Sequence, residues 1–400
     1  VSGLRARRLA ARRAERRRAV RRGAMVAAAS VVVAVGTVTG VLTAGDDGNG
    51  SDQARPSPTG SASTRLERLP VVPSSPVTPS PAPSPSASAS ATKKGAPTPS
   101  SSRTEREQRT ATVHTRLYRH PESQVLDWVR ANPDDPRRSV IESRIADQPA
   151  SVWFADFTPA TITSRVAAVT SGAAAQGRVP VVVVYAVPDR DCGGHSQGGA
   201  PDLAAYDAWI DRFAAGLGSD DVIVVLEPDS VAQAGCLSAG DRADRFASLA
   251  RAGRVLKAAN PRARVYHDAG HSGWNPAAEQ AALLKQAGAA SPASSDGIFS
   301  NVSNFHRTAD EIAYDRQVLD ALGGPASLGA VIDTSRNGNG APADGEWCDP
   351  AGRKIGRAPT TNTGEERIDA YLWVKLPGES DGCKGRPGTF TPSYAYDLAR

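Results

Sequence analysis

Asp221-Val222-Ile223-Val224-Val225-Leu226-Glu227-Pro228-Asp229-Ser230 holds five consecutive apolar residues, most of them β-branched. Such a run reads as a strand buried on both faces, the parallel kind found inside α/β proteins. Pro228 cannot donate to a sheet ladder and is expected to hold Glu227 extended, so the strand should stop there. Asp229 then falls just past the C-terminal end of a buried strand, where α/β sheets and barrels place their sites.

The pattern recurs along the chain. Residues 181–184 are four valines followed by Tyr185, Pro188 and the polar cluster Asp189-Arg190-Asp191-Cys192. Seven strands are predicted, near 151, 181, 222, 264, 297, 328 and 370, the last including 371–375. Asp268 and Asp333 stand at strand ends, and Asp381 lies in the loop after the last strand. Helical faces alternate with these strands: Val125, Leu126, Trp128 and Val129; Ile162, Val166 and Val169; Tyr206, Ile210, Phe213 and Leu217; Phe246, Leu249 and Leu256. Asn275-Pro276 reads as an N-cap and first-turn pair, and Thr308 to Glu311 as a capping box. Strict alternation implies a right-handed parallel sheet, closed or nearly closed as a barrel. Residues 334–365 lack a helix, and a loop that long in a compact domain is usually functional.

Composition confines the globular part to the C-terminal portion. Ten arginines against Glu15 put +9 on residues 1–22, while the whole chain carries +5, so the remainder sums to −4. The basic character belongs to the tail and gives no reason to expect nucleic acid at the folded domain. Residues 24–44 are uncharged and rich in Ala and Val. They are long enough to cross a bilayer, and arginines on their N-terminal side suit either a signal peptide or a single transmembrane anchor. Both readings export the rest, so an extracellular location, secreted or tethered to the outer face of the membrane, is expected. Residues 45–112 are dominated by Pro, Ser, Ala and Thr and are read as an extended, disordered linker. The folded domain is placed at 113–400 and is expected to be monomeric, meeting a membrane only through the apolar segment.

Cys192, Cys236, Cys348 and Cys383 are the four cysteines, an even set in an exported chain. Three pairings are possible; sequence order favours Cys192 with Cys236 and Cys348 with Cys383, each tying together loops that follow strands. No CxxC is present. His267 and His271 are four apart but Gly270 and the strand-end setting break the helix a metal pair would need, so no metal is assigned. The glycines at 193–194 and 198–199 lack a GxGxxG or GK[ST] pattern, and no cofactor is expected.

Carboxylates at strand ends, without a metal motif, suit acid and base work on a substrate that needs no cofactor. Glycoside hydrolysis uses little else: one acid protonates the leaving oxygen and a second carboxylate activates water or attacks the sugar. Trp153, Trp274 and Trp347 fall at strand ends or in rim loops and could stack on sugar rings, whereas Trp128 and Trp209 fall on helical faces and are assigned to the core.

Residues 185–192, 226–230 (LEPDS), 266–274 (YHDAGHSGW), 331–340 (VIDTSRNGNG), 346–348 (EWC) and 373–382 (WVKLPGESDG) together resemble glycoside hydrolase family 6. The likeness spans about 113–400. It implies a distorted, incompletely closed seven-stranded parallel β/α barrel that cleaves β-1,4-glucan with inversion. By position, Asp229 resembles the general acid, with Asp191 beside it raising its pKa and helping to order water. Tyr185 resembles the tyrosine that crowds the reacting sugar, and Asp381 the acid proposed as base, acting directly or through a water chain. Trp153, Asp268, Trp274, Trp347, Lys375 and Glu379 match substrate-binding positions. Exo-acting members roof the cleft with loops, one of them after the last strand. The span from Cys348 to Cys383 and the seventeen residues beyond leave little room for a roof, so an open cleft and endo action are expected. No separate carbohydrate-binding module is expected, since the linker leads back only to the apolar segment. An exo-acting cellobiohydrolase, a glucanase for another envelope polymer and a non-catalytic glycan-binding protein remain as alternatives.

Overall fold

The computed structural model describes residues 116–400. The Arg-rich stretch, the apolar segment, the whole linker and residues 113–115 lie outside the described residues. Among those described, no helix is long and apolar enough to cross a membrane.

Seven strands lie in one sheet in sequence order, every neighbour parallel: β1 (Val152–Phe154), β2 (Val181–Val184), β3 (Val222–Leu226), β4 (Ala263–Asp268), β5 (Gly297–Ser300), β6 (Gly329–Asp333) and β7 (Ile368–Leu372). The sheet curls into a half-barrel because each strand alternates between two apolar layers. Val181, Val183, Ile223, Val225 and Tyr266 point inward, where they meet Phe299, Val331 and Leu372. Val182, Val184, Val224 and Leu226 face the helices. Trp153, Val183, Val225 and Tyr266 share one register level across four strands and fill the interior at that height.

The barrel does not close through a β1–β7 ladder. Ser151 N–H donates to the Trp373 carbonyl at 3.0 Å, and the Ser151 hydroxyl and Trp153 indole N–H donate to the Val374 carbonyl at 2.6 and 2.7 Å. Thr360 occupies the free edge of β7, exchanging two backbone hydrogen bonds with Tyr371. An edge covered this way offers no template for further strands.

Among the described residues, eight α-helices surround the sheet. They are α1 (Gln124–Ala131), α2 (Arg138–Ile141), α3 (Ile162–Ala174), α4 (Leu203–Ala214), α5 (Ala239–Ala259), α6 (Ala277–Gln286), α7 (Thr308–Leu322) and α8 (Pro392–Ala399), with a π-helical turn extending α2 over Glu142–Ala146. The pieces at α1, α2 and α8 form a third apolar cluster around Trp373.

Several local expectations are corrected. Glu227 is not extended: its φ of 53° is left-handed, because its carboxylate turns back to accept the N–H groups of Ala186 and Val187 beyond β2. The capping box does not form, since Arg307 is the N-cap of α7 and Glu311 is buried, accepting from Ser272 N–H at 2.9 Å. Pro276, not Asn275, is the N-cap of α6; the Asn275 amide donates to the Ala232 carbonyl and to Gln280. The last strand begins at Ile368 and ends before Trp373. Trp128 is only partly buried, packed on Phe390 with ring centres 6.0 Å apart.

Candidate active site

A cleft of about 1660 Å³ opens at the C-terminal ends of the strands, lined by residues from all seven strand-end loops. Nine of the ten site residues expected from sequence line it: Trp153, Tyr185, Asp191, Asp229, Trp274, Trp347, Lys375, Glu379 and Asp381. The tenth, Asp268, does not. It is buried at the end of β4, where its carboxylate accepts from Val231, Ala232 and Gly270 N–H at 2.8–3.0 Å. This corrects its assignment as a substrate contact: it holds the loop that carries Asp229.

That loop is strained. Asp229 has φ 68° and follows Glu227, two non-glycine residues in left-handed conformations on either side of Pro228. Such backbone persists only when its surroundings fix it, and here Glu227 and Asp268 pin both ends. Asp229 itself is half-buried, and its carboxyl is pushed up to about 8 by burial, then by the charges of Asp268 and Asp191. Burial also raises Asp268, while the N–H groups of Val231, Ala232 and Gly270 pull it back toward its ionised form.

Asp191 is held by Ser196 N–H at 2.7 Å and, like Cys192, has a left-handed backbone. Cys192 is bonded to Cys236, which ties the Asp191 loop to the loop beyond Asp229. Beneath it, the Arg190 guanidinium lies 4.4 Å from the centre of the Tyr185 ring and donates to the carbonyls of Ala155, Tyr185 and Ser196. Tyr185 in turn meets Trp153 edge to face at 5.3 Å. Burial, with the charge of Asp229, raises the Tyr185 phenol and keeps it neutral.

Opposite stands Asp381, set among cations. Arg336, fully buried, reaches its Oδ2 at 2.7 Å and Lys375 its Oδ1 at 3.2 Å. Asp333 orients this wall by accepting from Lys375 and Ser303 N–H. The second disulfide, Cys348–Cys383, joins the long 334–365 loop to the Asp381 loop, so both pairings match the order favoured from sequence. Glu379, pushed to about 7 by burial against the pull of Lys375, accepts from Gln124 at 2.8 Å.

At the rim, Trp347 is 52% exposed and meets His195 edge to face at 5.4 Å. Trp274 packs on His271, which stacks on His306 at 4.2 Å. His267 is elsewhere, buried, with its Nε2 3.2 Å from the Ser294 carbonyl. Sequence reasoning gave no role to Glu227, Arg190, Arg336 or Asp349. Arg336 and Glu227 stood inside quoted motifs, and Asp349 follows a paired cysteine, but only the fold reveals what they hold.

Carboxyl groups lining one cleft, with an exposed tryptophan at its rim, suit a glycoside hydrolase. The family model for glycosyl hydrolases family 6 matches residues 108–395. Endoglucanase 1 of Streptomyces sp. (strain KSM-9) is 53% identical over 291 residues, 72% of this chain and 79% of that protein. Endoglucanase A of Thermobispora bispora is 50% identical over 284 residues, 71% of this chain and 61% of that protein. The structure of the endoglucanase Cel6 from Mycobacterium tuberculosis, in complex with methyl-cellobiosyl-4-deoxy-4-thio-β-D-cellobioside, superposes with a TM-score of 0.66 at 40% identity, covering 71% of this chain and 96% of that one. The chain belongs to glycoside hydrolase family 6.

Proposed function

We propose that the protein is an endo-β-1,4-glucanase that hydrolyses internal bonds of a β-1,4-glucan with inversion, using Asp229 as general acid. The observation that carries this is the setting of Asp229 in the cleft: burial, then the charges of Asp268 and Asp191, raise its carboxyl to about 8, which suits it to donate a proton to the glycosidic oxygen at neutral pH. Trp153, Trp274 and Trp347 seat sugar rings along the cleft, and Tyr185, wedged between Trp153 and Arg190, bears on the reacting ring. Water attacks the anomeric carbon from the opposite face, the C–O bond breaks, and Asp229 protonates the departing oxygen. The proton lost by water passes to Asp381 directly or through further water. Asp191 orders that water and adds its charge to the field at Asp229.

Endo action is supported by the exposed Trp347 at the rim and by the names of the relatives. The 380–391 segment, where a roof could arise, is instead folded down by bonds from Ser380, Cys383 and Lys384 to Asp349. Two disulfides suit an oxidising compartment. Residues 24–44 would direct export or anchor the chain, with 45–112 as spacer.

The test follows viscosity and reducing ends together on carboxymethyl-cellulose and mixed-linkage glucan, using the full oxidised chain. A steep viscosity fall with few new ends supports endo action. Slow viscosity loss with steady cellobiose release overturns it in favour of an exo enzyme, and binding without hydrolysis in favour of a glycan-binding protein. Proton NMR of the first product separates inversion (α-anomer) from retention.

A further inference from the structure

Asp349 lies outside the set of residues expected to touch substrate, yet its carboxylate accepts four hydrogen bonds from the 380–384 loop. Its Oδ1 accepts from Asp381 N–H at 2.7 Å. Its Oδ2 accepts from the Ser380 hydroxyl at 2.5 Å and from Cys383 and Lys384 N–H at 3.0 and 2.8 Å. In return, Asp349 N–H donates to Asp381 Oδ2 at 3.1 Å, the same oxygen that Arg336 holds. The residue is 3% exposed and left-handed, with φ 49°, a conformation an aspartate keeps only when its surroundings impose it. Although burial opposes the charge, the Ser380 hydroxyl and the backbone N–H groups hold the Asp349 carboxyl below its usual range.

These bonds and the adjacent Cys348–Cys383 disulfide make the corner at 348–349 and the loop at 380–384 one body. One side of that body carries Trp347 at the cleft rim, and the other carries Asp381 inside it. We propose that Asp349 is a positioning residue: it fixes the Asp381 carboxylate in register with the rim, so that a sugar seated on Trp347 meets Asp381 at the distance the reaction needs. This rests on the role proposed for Asp381. A carboxylate displaced by about 1 Å costs of the order of 10²-fold in rate. The penalty is expected on kcat, because Asp349 does not line the cleft.

The test compares wild type, Asp349→Asn, Asp381→Asn and the double variant on mixed-linkage glucan, in the full oxidised chain and well below each unfolding midpoint. Asp349→Asn keeps shape and one acceptor oxygen while removing the charge. The expected result is a kcat about 10²-fold lower with KM changed less than about threefold, and a double variant no slower than Asp381→Asn, since the residue acts through Asp381. Undiminished kcat in Asp349→Asn beside a crippled Asp381→Asn overturns the positioning role and leaves the proposed function standing. Losses that multiply in the double variant overturn it too, because they show a role independent of Asp381. Full activity in Asp381→Asn removes the role of Asp381 itself, and this inference with it.

Discussion

Asp229 and Asp381 line one cleft from opposite surroundings. Asp229 is approached by carboxylates, Asp268 and Asp191, and by burial; Asp381 is approached by Arg336 and Lys375. The first environment raises a carboxyl and the second pairs one with cations. On the proposed function, one cleft thereby holds the proton donor and a cation-paired carboxylate, the same side-chain chemistry differing only in neighbours.

The two walls are also built differently. The Asp229 wall follows from one strand, its proline and two carboxylates that pin a strained turn. The Asp381 wall is assembled from loops after β6 and β7, joined by a disulfide and a buried ion pair. Breaking the first wall should be felt in chemistry and breaking the second in stability as well. Asp229→Asn, which keeps shape and removes the acid, is expected to lower kcat/KM on carboxymethyl-cellulose by about 10²–10⁴-fold with the unfolding midpoint unchanged. Arg336→Leu takes one of two cations from a buried carboxylate, leaving Lys375 as the other, and leaves the Ser303 carbonyl without its donor. Urea unfolding should show a loss of about 3–5 kcal/mol alongside reduced activity. A variant as stable as wild type would mean that the two walls are not built as differently as their contacts indicate.

The unequal legibility of the two walls has the same origin. The run 222–226 announces itself because burial on both faces demands unbroken apolar residues, and the strand end then locates Asp229. The motif around Arg336 and the cysteine before Asp349 do not say what these residues hold, because their partners lie 45 and 32 residues away in sequence. Misreadings arose where a side chain answered to a distant group rather than its own helix. Glu311 left the cap of α7 for Ser272, Glu227 bent its backbone to reach Ala186, and Asp268 turned from the cleft to the N–H groups beside Asp229. Tertiary hydrogen bonds overrode local preference in each case.

Glu311, which holds the loop before Trp274 through Ser272, gives a smaller test. Burial lifts its carboxyl from the ordinary 4.5 to about 6. An acid raised on folding binds its proton more tightly in the native state, so its contribution is intact below about 4.5 and fades as pH rises through 6. Over that window wild type should lose about 2 kcal/mol that Glu311→Gln does not lose. Midpoints compared at pH 4 and pH 7 read the difference directly. An equal pH response in both proteins would show that Glu311 titrates normally.

The proton on Asp229 is tested most directly by the pH dependence of kcat/KM for wild type beside Asp268→Asn. The alkaline limb of wild type should fall near 8, where Asp229 loses its proton. With the Asp268 charge removed, the limb should move to lower pH while the amide oxygen still accepts from the Val231 and Ala232 loop. A limb that stays in place in Asp268→Asn, or one already lost near pH 4 in wild type, would mean that burial and the neighbouring carboxylates do not hold the catalytic proton on Asp229.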